Sequence, residues 1–207
     1  MQLQDLSPDE IKRGIFLALE NARELSEDAE ILFKSGKYAR AYTLYQLGME
    51  EVGKSNILFN ALAGLRYNHK DVDWNAMNKG FWRHTTKSER AIAIEKLMVD
   101  MLKTEATDVA GIEDWEAYYE QLSNIDVDKL DKMKNDSLYL GFEDGKFRLP
   151  KDAITKEMTE EIKVSFGIRF KTNETLIHYF VDNNEHNLID ANEKVKGYFK
   201  DLEDQQK

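Results

Sequence analysis

Gly48-Met49-Glu50-Glu51-Val52-Gly53-Lys54-Ser55 is the stretch on which the reading of this chain turns. It satisfies G-x-x-x-x-G-K-[ST], the pattern of a loop whose backbone amides wrap nucleotide phosphates. Such a loop must follow a buried parallel strand, whereas Ala41, Leu44 and Leu47 just before it stand at helical spacing. Glu50 and Glu51 would also occupy a cradle in which polyphosphate oxygens need positive potential. The segment therefore reads as helix, and nucleotide hydrolysis is set aside.

On a helix, Leu47, Glu51, Lys54, Leu58, Ala61 and Leu65 fall along one stripe, so a Glu and a Lys three apart interrupt a mostly apolar face. Burying such charges costs several kcal/mol unless they are paired and hydrogen-bonded, which implies partners across an interface or a wet cleft. The alternative is a rotated stripe that leaves the pair as a solvated salt bridge worth about 0.5 kcal/mol or less. The sequence leaves both open.

Outward from this helix, set at about 38–67, the chain continues to read as helical. Ser7 and Glu10 have the spacing of a capping box with Pro8 at the first helical position, and Ile11, Ile15, Leu19, Ala22 and Leu25 extend one stripe. A helix over about 8–34 ends at Gly36. Asp73 is an N-cap for a third helix over about 74–104, and a fourth covers about 113–134 with a break at 124–126. Short connections predict antiparallel neighbours. Glu143-Asp144-Gly145-Lys146 between alternating apolar residues predicts a hairpin within 138–149. Helical spacing returns over about 155–166, 173–181 and 189–202. The expected architecture is an all-α antiparallel bundle with one small β-hairpin, in a single domain over 1–207.

The third helix places Met77, Phe81, His84, Ser88, Ala91 and Met98 on one face, with Arg83 and Lys87 flanking His84. An imidazole titrating near neutrality can take a proton from a ribose 2′-hydroxyl while a neighbouring cation stabilises charge on the phosphorane. A core or interface histidine donating to a glutamate such as Glu51 fits the same residues.

Composition narrows the classes further. With 207 residues, 42% hydrophobic, the chain can fill a core. No cysteine means no disulfide and no thiolate chemistry, which together with the lack of a signal peptide predicts a cytoplasmic protein. Mean hydropathy of −0.62 and short apolar runs predict no membrane span. A net charge of −10 argues against generic nucleic-acid coating, and no DNA partner is expected. Yet residues 66–103 alone carry a positive balance, centred on His84, where an RNA phosphate or an acidic protein could dock. Tyr38, Tyr42 and Tyr45 have the rings to stack bases, although such spacing suits core packing equally. His178, Asp182 and His186 at i, i+4 and i+8 would point the same way on a continuous helix, as half of a metal site would, but a metal needs ligands from more than one element and Asn183-Asn184 weakens the helix there, so they read as an exposed polar face and no metal or cofactor is predicted.

Several blocks together resemble the AbiV family of phage abortive-infection proteins, within the HEPN group of helical domains. They are Asn21-Ala22, Asp28-Ala29 with Leu32, Gly36-Lys37-Tyr38-Ala39-Arg40-Ala41-Tyr42 with Leu44, Glu50-Glu51-Val52-Gly53-Lys54, Phe81-Trp82-Arg83-His84 with Lys87, and Leu138-Tyr139-Leu140. The Glu-Glu-x-Gly-Lys helix is the most specific of these. The resemblance implies an antiviral, toxin-like role in bacteria, a helical core and a homodimer through the central helices. HEPN ribonucleases carry Arg, four to six residues, then His on one helix. Here the equivalent is Lys79-x4-His84, a degenerate form, because lysine cannot make the bidentate phosphate clamp of arginine.

The working expectation is a metal-independent endoribonuclease in which His84, Arg83, Lys87 and Glu51 form the catalytic group and Glu50, Lys54 and Lys79 bind, in the cleft between the second and third helices. The partners expected are a second copy of the chain, an RNA substrate, and a phage-encoded activator or host translation component. The alternative is a non-catalytic helical module that captures a phage or host protein. A third reading makes Glu51, Lys54 and His84 a buried polar network that fixes dimer register.

Overall fold

The computed structural model describes residues 2–66, 73–84, 86–89, 91–92, 120 and 124–182. The chain divides into two compact units, residues 1–173 and 174–207. The described part is mostly helical with one two-stranded antiparallel sheet, an all-α architecture carrying a small hairpin.

A 3-10 turn, Leu3–Asp5, precedes α1, Pro8–Lys34. Ser7 accepts from the Glu10 backbone N–H at 3.2 Å, and the Glu10 carboxylate turns to Arg13 instead of closing the box. At the other end the Lys37 N–H bonds the Leu32 carbonyl at 2.8 Å and the Gly36 N–H that of Phe33 at 2.9 Å, a Schellman stop. The chain reverses at once into α2, Tyr38–Arg66, which packs along α1. At 29 residues α2 is about 43 Å long. Through its middle α2 is covered on almost every side, with Tyr42, Gln46, Met49, Glu50, Val52 and Asn56 all buried.

Three shorter helices lie against α2: α3, Trp74–Trp82, α4, Val127–Leu138, and α5, Pro150–Ala153. The final helix, α6, is Lys156–Asp182. Within residues 1–173, Tyr45, Met49 and Val52 of α2 join Ala22 and Ala29 of α1, Ile162 and Phe166 of α6, and Ala91 in one core. The Tyr45 and Phe166 rings meet at 5.9 Å, and at the edge of this core Lys163 reaches Glu30 at 2.6 Å.

Several boundaries differ from the sequence reading. The third helix does not run unbroken from 74: α3 stops at Trp82, Arg83 is extended (φ −87°, ψ 128°), and the backbone is helical again at 84, 86–89 and 91–92. The Arg83 N–H closes α3 on the Gly80 carbonyl at 3.2 Å. In the fourth expected helix, residue 120 is helical and the break falls at 124–126 as expected; α4 then opens at Val127, capped by Asp126, whose carboxylate takes the Lys129 N–H at 3.0 Å, and it runs on past 134 to Leu138. The segments expected at 155–166 and 173–181 are one helix. Gly167, with open space beside it, costs α6 only about 1 kcal/mol of propensity, while Phe166, Arg169 and Asn173 bury one face across the expected gap. The hairpin pairs β1, Gly141–Glu143, with β2, Lys146–Arg148, through a turn with positive φ at Asp144 and Gly145. Its Phe142–Phe147 pair, 5.1 Å apart, is exposed. The expected helical stretches at 93–104, 113–119 and 189–202 lie outside the described residues.

Candidate functional site

Both glycines of the phosphate-loop string are packing positions. A β-carbon on Gly48 would lie 2.7 Å from Phe166 and 3.3 Å from the Ala22 carbonyl, so α1, α2 and α6 converge there. A β-carbon on Gly53 would lie 1.9 Å from the Lys87 carbonyl oxygen and 2.5 Å from its carbon. The backbone of the segment after Arg83 therefore rests directly on α2, one helical turn from Glu50. Ser55, the last letter of the string, bonds the Val52 carbonyl at 2.7 Å.

That close approach assembles the site around Glu50, which is only 2% exposed. Its Oε1 accepts from Lys134 Nζ of α4 at 2.8 Å, and its Oε2 accepts from His84 Nδ1 at 2.5 Å, with Lys87 Nζ 3.1 Å away. Lys134 is further tied to Asp131 at 2.7 Å. The Lys87 and Lys134 side chains are 6% and 10% exposed. Burial by itself pushes the Glu50 carboxyl up. Hydrogen bonds from Lys134 and His84, with the charges of Lys134 and Lys87, outweigh it and hold the group below the usual carboxylate range. Burial likewise pulls the Lys134 ammonium down, and its bonds to Asp131 and Glu50 reverse this to a net rise.

An ionised carboxylate can only accept, so the His84 nitrogen facing it carries the proton, and in the neutral ring Nε2 is left as an acceptor. The His84 side chain is 57% exposed, and among the described residues no group bonds Nε2. Carboxylate on one nitrogen and solvent at the other is the arrangement that orients an imidazole as a general base.

Of the residues singled out from the sequence, Glu50, His84 and Lys87 are brought together. Glu51, expected beside His84, turns instead to Lys54, 2.5 Å away, and Lys54 Nζ lies 5.8 Å from the centre of the Phe81 ring. Lys87, expected in the catalytic group, is engaged by Glu50. Arg83 and Lys79 are exposed, and the break at Arg83 puts Lys79 and His84 on separate helical segments. Lys134 and Asp131 were missed. Lys134 lies in a charged stretch, Lys129 to Asp136, where nothing in the spacing marks one lysine as buried. His178 is exposed on α6 and His186 lies outside the described residues, where no group of metal-ligating side chains converges among those described. No described helix is long and apolar enough to cross a membrane.

A long central helix flanked by helical neighbours thus carries the Glu-Glu-x-Gly-Lys run, and its Gly53 seats the histidine-bearing segment. A family model for AbiV, of the HEPN group, matches residues 10–166, and the chain belongs to that family. Membership associates it with antiphage defence of the abortive-infection kind. No curated protein and no solved structure matches it.

Proposed function

We propose that this protein arrests phage propagation as a homodimer by cutting RNA without a metal, with His84 as general base. The observation that carries the reading is the His84–Glu50 bond: a buried, doubly lysine-locked carboxylate fixes Nδ1 and leaves Nε2 at an exposed position. In this scheme Nε2 takes the proton of a ribose 2′-hydroxyl, and the oxygen attacks the adjacent phosphorus to form a 2′,3′-cyclic phosphate. The 5′-oxygen departs with a proton from water, and the proton on Nε2 returns to solvent. Arg83, exposed beside His84, neutralises charge on the phosphorane. Lys87 and Lys134 are positioning residues that keep Glu50 ionised.

Incubation of the purified protein with total cellular RNA in excess chelator tests this. Fragments ending in 2′,3′-cyclic phosphate support it. Intact RNA leaves the non-catalytic module, for which the specific support is the exposed Phe142–Phe147 pair of the hairpin, an apolar surface suited to a phage or host protein.

A further inference from the structure

Among the described residues Trp82 is the most exposed large apolar side chain, at 77%. It is also held in place. The Phe81 ring stands edge-on to it at 5.1 Å with an interplanar angle of 85°, Lys54 lies by the Phe81 ring, and Glu51 holds Lys54. Two neighbouring glutamates thus support two different side chains, Glu50 the imidazole of His84 and Glu51, through Lys54 and Phe81, the indole of Trp82. Trp82 and His84 are two residues apart, so their α-carbons lie within about 7 Å, the reach of one nucleotide. Arg83 between them and Lys79 one turn earlier are both exposed, and neither side chain bonds another described residue. An aromatic face flanked by cations matches the chemistry of a nucleobase on its phosphate backbone.

Resting on the ribonuclease reading of the site, we propose that Trp82 is a stacking platform for an unpaired base next to the scissile phosphate, so that the site takes single-stranded RNA. Every base offers a π-face, so selection is by strandedness more than by sequence. In a duplex the bases already stack on one another and the indole has no face to meet. Arg83 and Lys79 supply the charge that draws the backbone past the platform.

Binding of a fluorescein-labelled, 2′-O-methyl oligouridylate in excess chelator tests this, because the probe lacks the hydroxyl that cleavage requires. The expected result is measurable binding by the wild type, roughly tenfold or greater loss in Trp82→Ala, near-wild-type affinity in Trp82→Phe, and weaker binding of the same strand paired with oligoadenylate. Unchanged melting of both variants excludes a folding defect. Wild-type affinity in Trp82→Ala, or no binding by the wild type, overturns the platform, and the latter assigns the indole to a protein partner. Cleavage of natural RNA measured alongside separates the two claims. Loss of cutting but not of binding in His84→Ala supports the base, and loss of binding in Trp82→Ala supports the platform, whereas a Trp82→Ala protein that binds and cuts normally removes the platform and leaves the base.

Discussion

The Lys87 carbonyl lies so near the Gly53 α-carbon that any side chain at position 53 would overlap it, the first added carbon falling 1.9 Å from the oxygen. This contact seats the segment carrying His84 and Lys87 on the helix carrying Glu50, and the polar hub depends on it.

Gly53→Ala is therefore expected to cost about 3 kcal/mol, at the upper end of overpacking effects, because the obstacle is backbone and cannot rotate away. For a protein of this size that corresponds to a fall of roughly 10 °C in Tm. Gly167→Ala, in open space on α6, is expected to raise stability by about 0.5–1 kcal/mol. Thermal melts of the two variants check both signs, and equal small effects would show that the close approach at Gly53 is not a constraint.

Adjacent glutamates should behave differently. Glu50→Gln leaves Lys87 buried without its counter-charge and Lys134 with Asp131 alone, and is expected to cost about 3–5 kcal/mol. Glu51→Gln removes a partly exposed pair and is expected to cost about 1 kcal/mol or less. Urea unfolding of both variants reads the contrast, and the reverse order would mean that Glu51 is the anchoring acid.

The hub also sets a pH dependence. Glu50 titrates lower in the folded protein than the usual value of 4.5, so its contribution is fully present above that value and is lost as pH falls through the lowered one. Lys134 titrates above its usual 10.5, so its contribution is present below that value and is lost as pH rises through the raised one. Melting temperature against pH should fall on the acid side in the wild type, and that limb should be shallower in Glu50→Gln. Parallel acid limbs would show that Glu50 is not held in its charged form.

Most of the fold was legible because α1 carries clean signals at both ends: Pro8 and Ser7 at the start, Gly36 at the stop, and one apolar stripe between. The α2 rotation was not. A helix covered on nearly every side has no preferred stripe, so apolar spacing selected Glu51 and Lys54 when the more deeply buried acid is Glu50. The break at Arg83 was hidden for a related reason. Neither Pro nor an unsuited residue marks it, and it follows from tertiary contacts, the seating of Lys87 on Gly53 and of Thr86 beside Gly80. His84 was found from its cationic neighbours, yet the carboxylate that holds it, Glu50, is itself locked by Lys134, which lies fifty residues beyond His84 and has no local signal.

The sharpest test is a metal-free RNA cleavage time course comparing the wild type with His84→Ala, with melting curves of both. His84 is largely exposed but gives the buried Glu50 one of its hydrogen bonds, so the variant should stay folded and melt several degrees lower while cutting falls at least about a hundredfold. RNA cut at an undiminished rate by a folded His84→Ala protein would contradict the assignment of His84 as the base.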